Sequence, residues 1–139
     1  MKKAGASHIL GVGKKAGGLI PGLESLRGRV DPQGIGEADF VLVLLEDGDR
    51  TESLIRMGKT VAAVDLNPLS RTARMATITI VDNVVRALPL LIKEVVRFSS
   101  GPPETPKKVL DSYDNGSILA GSLACMKELL QRLSGEVKK

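Results

Sequence analysis

This sequence is poor in rings and in reactive side chains: its 139 residues include no Trp, one Tyr, two Phe, one Cys and one His. Base-stacking platforms for single-stranded nucleic acid need ring faces, so the shortage of aromatics argues against that use. The lone Cys125 cannot close an internal disulfide, which makes a reducing, intracellular setting the expectation. With His8 distant in the chain, Cys125 reads as a small buried hydrophobe in an apolar helical pattern and not as a nucleophile. No apolar run approaches membrane-spanning length, and the first residues lack a secretory pattern. The expectation is therefore a cytoplasmic protein without a membrane or nucleic-acid partner.

What is present is an ordinary globular composition, 42% hydrophobic and 26% charged, long enough for one domain with its own core. A formal charge of +4 invites an anionic ligand without naming one. Lys2, Lys3, Lys14, Lys15, Arg27, Arg29, Lys138 and Lys139 carry much of the excess. A basic, glycine-rich region (1–39) precedes an α/β core (40–99), a proline-rich linker (100–108) and a C-terminal helix (109–139).

The chain is organised around Val61-Ala-Ala-Val-Asp-Leu-Asn-Pro-Leu-Ser-Arg-Thr-Ala-Arg74. Its apolar start reads as a buried strand, and Pro68, Ser70 and Thr72 mark a helix start. At the carboxyl end of a strand in an α/β sheet, a helix N-terminus offers unpaired N–H groups to an anion. Arg71 and Arg74 add positive charge there, while Asp65 and Asn67 supply hydrogen-bonding groups. These residues fit either a phosphate site or a well-capped crossover helix with solvated arginines.

Upstream, residues 7–12 make a strand candidate followed by Gly11-x-Gly13-x-x-Ala16, a dinucleotide-binding spacing. Gly17, Gly18 and Pro21 break the helix that should follow, so a flexible loop is expected. Residues 19–39 leave room for at most one short helix or strand, with Asp31-Pro32 opening a single turn. The run at 40–45 is continuous Phe, Val and Leu, as in a strand covered on both faces by helices. Asp49 with Glu52 makes a capping box for a helix ended by Gly58. The acidic cluster Glu46, Asp47 and Asp49, with Arg50 beside it, could meet a substrate or the water shell of Mg²⁺, but direct metal ligation is not expected.

A third strand is expected at 77–81, then a helix capped by Asn83 and kinked at Pro89. Its apolar face carries Val84, Leu88, Leu91, Ile92, Val95 and Val96. Residues 101–108 read as a stiff linker, and residues 118–133 as a helix whose apolar stripe closes over the sheet or docks on a second copy. Its Met126 is expected in the core. Strand–helix alternation with short connections predicts a Rossmann-like, doubly wound α/β fold: a mostly parallel sheet of three or four strands flanked by helices.

Four motifs then match one family in order: Ile20-Pro-Gly-Leu-Glu-Ser25, Leu45-Glu-Asp-Gly-Asp-Arg-Thr-Glu52, Val64-Asp-Leu-Asn-Pro-Leu-Ser-Arg-Thr-Ala-Arg74 and Thr79-Ile-Val-Asp-Asn-Val-Val-Arg-Ala-Leu-Pro89. The chain resembles the archaeal phosphopantothenate synthetases, 4-phosphopantoate:β-alanine ligases, from about residue 8 to its last helix. The resemblance implies ATP-dependent amide formation in coenzyme A biosynthesis. Phosphopantoate becomes an acyl adenylate, pyrophosphate leaves, and the β-alanine amine attacks. It implies nucleotide contacts at Asp65, Leu66, Asn67, Arg71, Thr72, Asn83 and Val84, with Mg²⁺ accompanying ATP, and a homodimer. Members carry a further N-terminal region with basic ATP-binding residues. The expectation is a fragment, a chain completed by a second polypeptide, or a non-catalytic nucleotide-binding or assembly module.

Overall fold

A computed structural model describes residues 2–11, 17–24, 26–102 and 104–136. Its centre is a three-stranded parallel sheet of β3 (Phe40–Val43), β4 (Thr60–Val64) and β5 (Ile78–Ile80), in that spatial order. Helix α1 (Gly48–Arg56) joins the first pair and α2 (Arg71–Met75) the second. Parallel pairs need such crossovers, and right-handed ones advancing in one direction place both helices on one face. There α1 and α2 pack on each other and on β4. This is the α/β architecture that the alternating pattern predicts.

Strand period two decides what is buried. Val61 and Ala63 point into the core beside Leu54 of α1, and register places Val41 and Val43 next to them. Ile20 and Val30 close the cluster from a ribbon of β1 (Gly18–Leu19) and β2 (Arg29–Val30), paired antiparallel. Lys59 Nζ donates to the carbonyls of Gly36 and Ala38 at 2.8 and 2.6 Å, fixing the approach to β3.

Several expectations change here. Residues 7–11 form no strand, while 12–16, which hold most of the glycine fingerprint, lie outside the described residues. Residues 19–39 hold more structure than expected: two short strands, a 3₁₀ turn at Leu26–Gly28 and a wide helical turn at Pro32–Gly36, capped by Asp31 as read. A close approach makes this possible, since a Cβ on Gly28 would stand 2.5 Å from the Leu23 carbonyl oxygen. The β3 strand is not buried on both faces: Phe40 is 55% and Leu42 40% exposed, because this edge strand has one neighbour and α1 and α2 share the opposite face.

Helix α3 (Val84–Ser99) starts at the expected cap and buries only Ala87, so its apolar stripe stays largely open. The linker is helical from its fourth residue, as α4 (Glu104–Asp111). Pro106 sits in the first turn, where its missing N–H has no intrahelical partner to lose. Helix α5 (Asn115–Glu136) buries no residue, so Cys125 and Met126 are exposed instead of core. It touches α2 and β5 near its start, and farther along, Leu69 faces Leu123, Met126 and Leu130 across a groove of about 540 Å³. No helix among the described residues is long and apolar enough to cross a membrane.

Candidate functional site

Parallel pairing brings the carboxyl ends of β3, β4 and β5 to one rim. Residues 44–46, 64–66 and 82–84 line a crevice there of about 180 Å³. Glu46, Asp65, Leu66, Asn83 and Val84, all singled out from the sequence, therefore share one concavity. Asn67, Arg71 and Thr72 stand behind it in the β4–α2 segment, and Asp47 and Arg50 line an adjoining cavity of about 320 Å³.

The β4–α2 turn is built from its own side chains. Asp65 is 8% exposed; its Oδ1 accepts from Asn67 N at 2.9 Å and its Oδ2 from Ser70 Oγ at 2.5 Å. Ser70 is the N-cap of α2, its Oγ also accepting from Ala73 N at 2.9 Å. Asn67 Oδ1 accepts from Leu69 N at 3.0 Å and Pro68 is buried beneath. The carboxylate of Asp65 is thus committed to the turn, leaving Leu66 and Asn67 exposed at the tip.

Thr72 is fully buried, and its hydroxyl accepts from Asp47 N at 2.9 Å. Its side chain ties two strand-end loops together and does not face the crevice. Asp47, not Asp49, caps α1, accepting from Arg50 N at 3.3 Å. The cap forms two residues early because Thr72 anchors the Asp47 backbone. Asp47 also pairs with Arg27 and lies 3.7 Å from Arg50 Nε. Asp49, freed from capping, pairs with Arg71, whose guanidinium is half exposed and 3.9 Å from Glu52. Arg71 lies across Gly48, where an added Cβ would come within 3.0 Å of the Arg71 Cβ.

At the third tip, Asn83 caps α3, its Oδ1 accepting from Val85 N at 2.8 Å. Asp82, not singled out from the sequence, lines the crevice and accepts from Arg86 Nε at 2.8 Å and Asn83 N at 2.6 Å. The Arg86 guanidinium, with help from the Asn83 N–H, holds this carboxyl below the usual carboxylate range. The i,i+4 spacing of Asp82 and Arg86 was visible in the sequence as a possible pair. Among the described residues, no three His, Cys, Asp or Glu side chains gather to hold a metal ion.

Chemically, this rim offers a narrow slot between three strand ends, a rigid tip at Leu66–Asn67 and the N-terminus of a long helix. These are features that recur where α/β sheets hold nucleotides. The family model for phosphopantothenate/pantothenate synthetase matches residues 1–129. Over 117 residues the chain is 55% identical to the 4-phosphopantoate–β-alanine ligase of Thermococcus kodakarensis, covering 84% of this chain and 45% of that protein. A relative of the same name in Methanosarcina mazei is 42% identical over 138 residues, 98% of this chain and 53% of its own length. The chain spans about half the length of the curated relatives it matches. With a matching family model over nearly its whole length and a parallel α/β sheet beneath it, the chain belongs to the phosphopantothenate/pantothenate synthetase family.

Proposed function

We propose that this chain supplies the nucleotide-binding half of a cytoplasmic, ATP-dependent ligase that joins 4-phosphopantoate to β-alanine through an acyl adenylate. The observation that carries the reading is the convergence of residues 44–46, 64–66 and 82–84 on one crevice. At about 180 Å³ it has room for part of a nucleotide, with the remainder running over the exposed Leu66–Asn67 tip toward Arg71. In this reading Asp65, Leu66, Asn83 and Val84 form the walls, Asn67 meets the nucleotide from the tip beside them, Arg71 meets phosphate oxygens and Thr72 holds the loop from behind. Mg²⁺ travels on the phosphates: both Asp65 oxygens and Asp82 Oδ1 are engaged within the protein, and among the described residues no three carboxylate, imidazole or thiol groups gather to hold a metal, so no direct protein ligand is assigned. Adenylation needs positioning and charge neutralisation more than a general base. A homodimer is part of the proposal, with the open apolar faces of α3 and α5 as its contact.

The test is an ATP·Mg²⁺ titration followed by backbone amide shifts. Shifts should cluster at 65–67 and 83–84, and Arg71→Ala should weaken binding roughly tenfold, the scale of one lost charge-assisted contact. Equal affinity in the two proteins would remove Arg71 from the site, and shifts away from the crevice would overturn the reading. With 4-phosphopantoate and β-alanine added, AMP and pyrophosphate should appear only when every substrate is present. Nucleotide binding without that turnover favours the second reading, a non-catalytic nucleotide-binding module.

A further inference from the structure

Two further cavities adjoin the crevice. The one of about 320 Å³ shares residues 44–46 with it, and a third of about 260 Å³ continues from the second across Ile35 and Arg50. The three form a series along the outer side of β3, from the strand ends toward the β1–β2 ribbon.

The charges along this trough are unequally committed. Asp47 is held by Arg27 and Arg50. The Asp31 oxygens accept from Gln33 N at 3.0 Å and Gly11 N at 3.4 Å. By contrast, Glu46 and Arg29 have no side-chain hydrogen bond or ion pair among the described residues. Arg50 donates from one terminal nitrogen to the Arg27 carbonyl at 2.5 Å, yet its Nε is buried with no hydrogen-bond partner. The carboxylate oxygen it faces, Asp47 Oδ2, stands 3.7 Å away, an ion pair without a hydrogen bond, so this N–H still lacks an acceptor. The trough therefore carries an open carboxylate at the crevice end, and an unsatisfied donor plus an open guanidinium toward the other.

We propose that the trough beside β3, with Glu46 at one end and Arg50 and Arg29 at the other, binds a short zwitterion, its ammonium toward Glu46 and its carboxylate on the arginines. A ligand with anions at both ends, such as a phosphorylated hydroxy acid, meets repulsion from Glu46 and belongs elsewhere. The orientation follows from the uncommitted charges, Asp31 and Asp47 at the arginine end being held by their own partners, and puts the amine beside the nucleotide crevice. It deepens the ligase reading, on which the choice of an ω-amino acid as occupant rests.

β-Alanine is the probe, titrated into the labelled full chain, with propionate, propylamine and inorganic phosphate as comparators. β-Alanine should shift amides of residues 29–35 and 44–50, and each single-charge comparator should bind roughly tenfold more weakly, one charge-assisted contact having been lost. Glu46→Gln and Arg29→Gln, both at exposed side chains, should each weaken β-alanine by a similar factor. Arg50→Lys, which keeps the charge and removes Nε, should weaken it as well. The proposal is overturned if β-alanine leaves these amides unmoved, if propionate or phosphate binds as tightly, or if all three variants bind β-alanine like the parent. A parallel ATP·Mg²⁺ titration separates the two readings. Loss of the 65–67 and 83–84 shifts sinks the nucleotide site and leaves the zwitterion site standing, and the converse result does the opposite.

Discussion

Ser70 holds the β4–α2 turn from inside: it donates to Asp65 and accepts from Ala73 N. Ser70→Ala removes the cap and leaves a nearly buried carboxylate short of a donor, so we expect a loss of about 2 kcal/mol in urea unfolding. Gly28→Ala forces a Cβ against the Leu23 carbonyl and side chain, which lie 2.5 and 2.9 Å away, and should lose about 1–3 kcal/mol in the same measurement. A loss under about 0.5 kcal/mol for either, the range of an unremarkable surface change, would refute these contacts. Caps such as Ser70 and Asn83 were legible because their chemistry is local. Asp47 was not: Asp47-Gly-Asp49 offers two candidate caps, and Thr72, 25 residues on, decides between them.

Among elements, α5 is held at its start. Tyr113 Oη accepts from Thr79 N at 2.9 Å on the open edge of β5 and donates to Asn115 Oδ1 at 2.7 Å. Asn115 Nδ2 in turn reaches the carbonyls of Ala73 and Ala76, the latter just past the end of α2. Tyr113→Phe strands the Thr79 N–H and should lower stability by about 1–2 kcal/mol, with faster exchange of that amide. Asp114 caps the same helix: the Ser117 hydroxyl and the N–H groups of Ser117 and Gly116 hold its carboxyl below the usual range, as Arg86 does for Asp82. For both groups the folded pKa lies below the unfolded one, so the unfolded chain takes up protons first as pH falls. Their stabilisation is fully present above the ordinary aspartate value of about 3.9 and disappears as pH drops through the lowered folded values. Protection factors of amides in the first turns of α3 and α5, taken relative to the intrinsic exchange rate at each pH, should therefore fall in acid, and Asp114→Asn should flatten the response in α5 alone. Helical spacing made α3 and α5 readable. Their exposure was not, because period reports which side is apolar and never whether anything lies against it.

For the whole molecule, the strand–helix alternation in the sequence led to the parallel sheet and hence to a common rim. The outer apolar surface is what local patterns missed: Leu90, Ile92, Val95 and Val96 on α3 and Leu130 on α5 are all more than half exposed. Apolar helix faces left open in this way mark interaction surfaces. Sedimentation across a concentration range should show self-association, and Leu130→Glu should shift it toward monomer; a strict monomer at every concentration would contradict the proposed dimer. Leu69 gives that association a second meaning. Its side chain belongs to the α5 groove, while its amide is held by Asn67 in the proposed nucleotide tip. A subunit pressing on Leu69 would bias that tip, and by thermodynamic reciprocity ATP would change the subunit association constant by the same factor by which association changes ATP affinity.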